Sequence, residues 1–457
     1  MSQKENLFFS FLESNQWNAA GTVGKEISKI AADTSLQDRV VQGVVVKPVY
    51  HKENLDSKVS LSNNFPSEWL VGQIIVARTQ EACLLFLNKA LKGGVDALTF
   101  FDKKEIDLAT LLKGVKHKSK RIEIVFSELP SLSYLEGLIS VCDKNGTSLM
   151  LSYDPIHDLI KSGNWKKSMA DDLQDWLKFY VDSKSKSFKV SGVIYQNSGA
   201  TIAEEIAFCL AQANEYLLTL SNEGIQPDKV CFEVSIGGNY FFEIAKIHAL
   251  RSMWNLVSSE YGNAIPCEII AQPSKRNMTL FDFNLNMLRS STAAMAAIIG
   301  GANVVNNLPY DEVFNPSNDF GNRIARNQLL ILKHESYFDK LENPAKGTYF
   351  IEQLVNDLSE NILEIFKDIE HLGGFIKCLE TGYVQERILV SEQEEQKAFD
   401  EGSRILVGTN KYQNLSEVPI ADLLLKSINQ TSTSIRPILE KRLSEQNELK
   451  RIEDGKQ

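Results

Sequence analysis

The sequence predicts a parallel α/β barrel wrapped by helices. Short, β-branched apolar runs recur eight times along the chain, and each is followed by a stretch with apolar residues at 3.6-residue spacing. The runs are nearly continuous rather than alternating, as strands covered on both faces are. Strict alternation of strand and helix, repeated eight times, points to a TIM (β/α)8 barrel over residues 66–336. Residues 1–65 read as an N-terminal arm that packs on something else, 337–412 as a helical extension and 413–457 as a flexible charged tail.

In chain order, the arm carries one helix (AGTVGKEISKIAAD), one short strand (QGVVVKPVY) and the open loop HKENLDSKVSLSNNFPSEW. The barrel strands are WLVGQIIVA (69–77), DALTFF (96–101), IEIVFSE (122–128), TSLMLSYD (147–154), VSGVIYQ (190–196), KVCFEVS (229–235), CEIIAQ (267–272) and NVVNNL (303–308). Helical periodicity fills the intervals, most clearly in TQEACLLFLNKALKGG, TIAEEIAFCLAQANEYLLTL and NYFFEIAKIHALRSMWNLV. Beyond the barrel, TYFIEQLVNDLSENILEIFKDIEHLGG is a long helix stopped by Gly373 and Gly374. A short helix (FIKCLETG), a charged helix (SEQEEQKAFDEG) and a small strand (RILVGT) follow. From Gln413 the chain mixes Ser, Asn and Thr with EKRLSEQNELKRIEDGKQ, a frayed helix or disordered segment.

The composition, 43% hydrophobic and 24% charged in 457 residues, is that of a globular protein. A net charge of -10 leaves no excess of Lys and Arg to replace the counterions of a phosphate backbone, which argues against nucleic-acid binding. No window approaches 18 apolar residues and the start lacks a signal-peptide pattern, so a cytoplasmic protein without a membrane partner is expected. The six cysteines are scattered within apolar patterns and read as buried free thiols. The six histidines form no HxxxH or HxxE pair, so no metal site is expected.

Barrels of this kind react at the ends of their strands. Here those ends offer Arg78, Thr79, Asp102, Ser127, Glu128, Tyr153, Asp154, Tyr195, Gln196, Asn197, Ser235, Asn239, Gln272, Ser274, Asn306 and Asn307. The mouth is polar but holds no strand-end histidine or lysine and no nucleophile–base pair. Glu128 and Asp154 are placed for a carboxylate pair, against which stands the commoner role of such residues as helix caps. Gly237-Gly238, between a strand and a helix, is a place for backbone N–H groups to meet a phosphate; Gly300-Gly301 follows a helix and reads as its C-cap.

Several long stretches resemble the barrel of the methylmalonyl-CoA mutases, adenosylcobalamin-dependent radical enzymes. They are SGVIYQNSGATIAEEIAFCLAQANEYL, GGNYFFEIAKIHALRSMW, LRSSTAAMAAIIGGANVVNN, DFGNRIARNQLLIL, NPAKGTYFIEQL, LGGFIKCLETG and VGTNKY, in order over residues 66–412. The departures are informative. Catalytic members read like TIRQYAG in the first strand, where this chain has LVGQIIV, so Gln73 remains and Ile74 stands at the tyrosine position. They read like SGYHMQEAGA in the fifth, where Ile194 replaces a substrate-facing histidine. In the seventh, THCQTSG becomes IIAQPSK, with Ile270 for a second histidine, Gln272 retained, and Lys275 and Arg276 for a Gly-Trp pair. In the eighth, Asn306 takes another histidine position.

These changes remove donors aimed at a carbonyl that gains charge, and the loss of one such donor typically costs about 2.7–4 kcal/mol of catalysis. The family's C-terminal cobalamin-binding domain, with its DxHxxG motif, has no counterpart in the sequence. The resemblance is therefore to the small, non-catalytic subunit of heterodimeric methylmalonyl-CoA mutases. It implies that no catalytic residue is present, that Gln73, Gln196 and Gln272 are remnants of a pocket, and that this chain binds no cofactor itself. Adenosylcobalamin then belongs to the large subunit, the expected partner, and the holoenzyme interconverts (R)-methylmalonyl-CoA and succinyl-CoA. Two alternatives are a barrel-only, isobutyryl-CoA-type mutase subunit that borrows cobalamin from another protein, and a CoA-ester-binding regulator that uses Lys275 and Arg276.

Overall fold

The computed structural model describes residues 39–47, 50, 55, 65–77, 79–102, 106–113, 119–315, 318–340, 342–414, 417 and 433–454. The arm helix AGTVGKEISKIAAD and the strand-end Arg78 lie outside them. The expected single strand QGVVVKPVY is instead part of an antiparallel hairpin, β1 (Arg39–Val41) and β2 (Val44–Val46). Its two-residue turn has Gln42 at φ 50 and Gly43 at φ 78, the left-handed pair whose twist matches that of the flanking strands.

The eight expected barrel strands are present as β3 (Leu70–Ile75), β4 (Ala97–Phe101), β5 (Arg121–Phe126), β6 (Ser148–Tyr153), β7 (Ser187–Ser191), β8 (Lys229–Ile236), β9 (Cys267–Pro273) and β10 (Val304–Asn306). Every ladder between them is parallel, in the order β6-β5-β4-β3-β10-β9-β8-β7. Among the described residues no ladder joins β6 to β7, so the barrel is nearly closed with one seam. Helices follow the strands: α1 (Gln80–Lys92), α2 (Leu108–Lys113), α3 (Leu132–Asn145), α4 (Pro155–Ser162), α5 (Met169–Asp182), α6 (Val193–Asn197), α7 (Ile202–Asn222), α8 (Tyr240–Ser259), α9 (Leu285–Gly300) and α10 (Asp319–His334). Side-chain caps fix the starts of several of them. Thr79 accepts from the Ala82 amide, Asp154 precedes Pro155 at the first turn of α4, and Thr201 with Glu204 forms a capping box.

The extension consists of α11 (Tyr349–His371), α12 (Phe375–Thr381) and α13 (Tyr383–Asp400). Helix α11 packs on α7 and α8 from outside, which explains why α7 is apolar nearly all round and buried along most of its length. Gly373 and Gly374, at φ 101 and 95, end α11 where the sequence places its stop. Gly301, at φ 89, caps α9 in the same way.

Three expectations change. The fifth strand ends at Ser191, and Val193–Asn197 forms the short helix α6 rather than strand. At the break, Gly192 still donates to the Glu233 carbonyl, but a side chain there would meet Cys209 Sγ at 2.5 Å, so glycine alone fits the turn. The segment RILVGT is no strand; it makes one bridge, Val407 with Lys411. The Asn410 side chain takes its place by bonding the Phe399 and Arg404 carbonyls and the Leu406 amide. Finally, residues 433–454, expected to be frayed or disordered, pack on the barrel and end in α14 (Glu445–Asp454). Ile435, Ile438 and Leu443 are buried, which the polar composition of the segment conceals.

Candidate functional site

Inside the barrel, Leu70, Ala97, Met150, Cys231, Ile270 and Val304 form an apolar layer. Charged side chains cross it. Arg121 on β5 forms an ion pair with Glu268 on β9, the strand opposite, and also reaches Met150 Sδ at 3.1 Å; Lys229 bonds the same Glu268 at 2.8 Å. Nearer the mouth, Lys189 on β7 contacts Glu123 on β5 at 2.6 Å and Glu233 on β8 at 3.1 Å, which ties the two sides of the seam. Burial opposes the charge on Lys189, but Glu123 and Glu233 outweigh it and hold the ammonium above its ordinary range. Thr99 and Ser191 donate to the two carboxylates at 3.1 and 2.9 Å. These residues were not among the strand-end candidates. Their signal was available: Glu123, Lys189 and Glu233 are single charges in the middle of apolar strands, flanked by Ile122 and Ile124, Phe188 and Val190, Phe232 and Val234.

Above this layer lies a cavity of about 490 Å3. Ile74 and Ile194 form part of its apolar wall, Gln272 part of its polar wall, and Asp154, His157 and Lys275 stand around the rim. Asn307, a strand-end candidate, lines it as well, whereas Gln73, Gln196, Ile270 and Asn306 do not. Gln73 points out of the barrel and accepts from Arg326 at 3.1 Å. Gln196 sits on α6 beside Gly237, where its Nε2 lies 2.9 Å from the position a Cβ would take. Ile270 is in the deep apolar layer, and Asn306 faces Gly72, whose missing Cβ leaves the space the Asn306 amide fills. Both polar atoms of Asn306, and the side-chain oxygens of Gln196 and Gln272, have no hydrogen-bond partner among the described residues. Of the three glutamines read as remnants of a pocket, Gln272 lines the cavity, and Gln73 is the one whose side-chain oxygen is satisfied, by Arg326.

Asp154 lines the cavity and Glu128 does not. Asp154 caps α4 and is surrounded by donors, the Tyr216 hydroxyl at 2.6 Å, the Gln212 amide at 2.9 Å and the His157 N–H at 2.8 Å. Burial pushes it up to about 6 against those hydrogen bonds. His157 is held down to about 4 by burial, and its Nδ1 has no partner among the described residues. The mouth also has a resident cover. Ile438, Leu439 and Glu440 line the cavity, with Glu440 accepting from Asn197 at 3.0 Å and the Lys441 amide donating to the Asn197 carbonyl at 3.0 Å. The Leu443 amide donates to the Arg276 carbonyl, and the Ile438 amide to that of Ile160. Arg276, expected at a solvent-facing mouth, is buried, bonding Glu395 at 2.5 Å and the Lys441 carbonyl at 2.9 Å; Lys275 pairs with Glu312 at 3.3 Å.

The family model described as methylmalonyl-CoA mutase matches residues 107–452. The chain belongs to the methylmalonyl-CoA mutase family. Among its relatives, the methylmalonyl-CoA mutase small subunit of Porphyromonas gingivalis is 31% identical, over 91% of this chain and 72% of that protein. The large subunit from the same organism is 27% identical, over 88% of this chain and 65% of that protein. The methylmalonyl-CoA mutase of Rhizobium meliloti is 32% identical over 57% of this chain, which spans only 38% of that protein's length. Among the described residues no three His, Cys, Asp or Glu converge as a metal site. Five cysteines are buried free thiols and Cys267 is half-buried. Among the described residues no helix is long and apolar enough to cross a membrane.

Proposed function

We propose that this chain is the small, non-catalytic subunit of an adenosylcobalamin-dependent methylmalonyl-CoA mutase. It pairs with a large subunit that carries cobalamin and substrate and interconverts (R)-methylmalonyl-CoA and succinyl-CoA. The observation that carries this proposal is the ion-paired barrel axis at the floor of the cavity. Lys189 with its two carboxylates, and Arg121 reaching across to Glu268, occupy the centre that a substrate entering along the axis needs. Above them Ile74 and Ile194 supply no donor for a developing negative charge. The greater coverage of the Porphyromonas small subunit, 91% of this chain against 88% for the large one, and the higher identity point the same way.

The test is turnover. The purified chain, given methylmalonyl-CoA and adenosylcobalamin, should form no succinyl-CoA, whereas a mixture with the large subunit should turn over at a rate set by the large subunit alone. Substituting Gln272→Met, in this chain's own cavity, should leave the rate of the mixture unchanged within two-fold. Turnover by the isolated chain, or loss of the mixture's activity in that variant, would show that this barrel takes part in the chemistry.

A further inference from the structure

Beside the barrel mouth, where β8 and β9 hand over to α8 and α9, lies a second cavity of about 400 Å3. Gly237 and Gly238 form one side and the loop 404–407 another. Its lining contains two charged side chains, Arg289 and Arg404, and no Asp or Glu. Arg289 makes no ion pair among the described residues. Its guanidinium donates only to neutral acceptors, Thr279 Oγ1 at 3.1 Å, Asn286 Oδ1 at 2.8 Å and the Val407 carbonyl at 2.6 Å. Arg404 shares one carboxylate, Glu395, at 3.7 Å, and that group is bound more closely by Arg276 at 2.5 Å. The side chain of Asn277 has no hydrogen bond among the described residues. Its Nδ2 and a terminal nitrogen of Arg404 each come within 3.6 Å of the point a Cβ on Gly238 would occupy.

A guanidinium taken partly out of water without a counter-ion is an unfavourable arrangement that a bound anion relieves. Burial acts on Arg289 in that sense, holding it below its ordinary range, with Asp282 and Glu448 opposing from a distance. Two guanidiniums and an amide approaching from three elements suit a tetrahedral, multiply charged group better than a planar carboxylate, which one guanidinium satisfies by itself. Gly238 lets that group approach the backbone. Met278, Leu285 and Leu406 supply an apolar surface beside it.

We propose that this cavity binds a phosphate-bearing small molecule, with the phosphate held by Arg289, Arg404 and the Asn277 amide over Gly238 and the organic part on the apolar surface. The site stands independently of whether the chain pairs with a catalytic subunit. Calorimetric titration of the full chain at constant ionic strength, with inorganic phosphate and with phenyl phosphate as probes, tests it. Saturable 1:1 binding is expected, at least three-fold tighter for phenyl phosphate. Arg404→Gln and Asn277→Asp should each weaken it ten-fold or more, while Lys167→Ala, on an exposed lysine of another face, leaves it unchanged. Arg289 also braces Val407, so Asn277→Asp is the decisive variant; it breaks no hydrogen bond of the fold and sets a carboxylate against Arg404. Absence of saturable binding by either probe, equal affinity in Asn277→Asp with an unaltered unfolding midpoint, or an equal loss in Lys167→Ala would overturn the proposal.

Discussion

Lys189 is the residue on which the inside of the barrel turns. It neutralises two carboxylates that have little water to turn to, Glu123 and Glu233. Removing one partner of a buried ion pair typically costs about 3–5 kcal/mol, because the other charge is left uncompensated. Lys189→Met should therefore destabilise the fold by about that much in denaturant unfolding, and adding Glu123→Gln and Glu233→Gln should recover part of the loss. A loss below about 1 kcal/mol would mean that water reaches the carboxylates. His248 gives a pH prediction. It is almost fully buried and held down to about 4, mainly by burial and secondarily by Arg251. Its unfolded value is about 6.5. The unfolded chain then binds the extra proton first, so the stability that neutral His248 contributes is complete above about pH 6.5 and is lost as pH falls toward 4. At about 1.36 kcal/mol per pKa unit the loss approaches 3 kcal/mol. Unfolding midpoints at pH 7 and pH 4.5 should differ less in His248→Gln than in the native chain; an equal difference would place the acid sensitivity elsewhere.

At the scale of elements, the strands and helices were legible because two periods, continuous apolar runs and 3.6-residue spacing, do not overlap in this sequence. What was not legible depends on tertiary neighbours. SGVIYQ has the composition of a strand, yet Gly192 against Cys209 turns it into a helix, and the side chain that decides this lies 17 positions away. The inward-facing register was partly legible, since Ile74 and Gln73 alternate, but nothing in LVGQIIV says that the glutamine faces Arg326. The cover over the mouth was invisible, because three buried apolar residues in a polar segment form no pattern of their own. Two predictions belong here. Gly72→Ala places a Cβ 2.1 Å from Asn306 Oδ1, an overpacking that should cost about 1–3 kcal/mol and be relieved in the double variant with Asn306→Ala. Additive losses would show that the Val304 side chain, 2.9 Å from the same point, and not Asn306, is in the way. For the cover, hydrogen exchange should find the amides of Ile435, Ile438, Lys441 and Leu443 protected to a degree comparable with α13. Exchange at the rate of an unstructured chain would show that the segment does not stay on the barrel.

At the scale of the whole molecule, this member of the methylmalonyl-CoA mutase family folds as a nearly closed parallel barrel with ion pairs at its centre and with isoleucines and a strap of its own chain at its mouth. On the proposed reading folding demands and catalytic demands have separated: the outer layer, with α7 and α8 beneath α11, is intact, and isoleucines stand where the resemblance implies substrate-facing polar residues. On that proposed reading the molecule's use lies in what it holds together, and sedimentation of this chain with a methylmalonyl-CoA mutase large subunit examines that most directly. The account predicts a single species with the mass of one chain of each kind, at micromolar concentration and in moderate salt. Two species sedimenting independently, each with the mass it has alone, would contradict it.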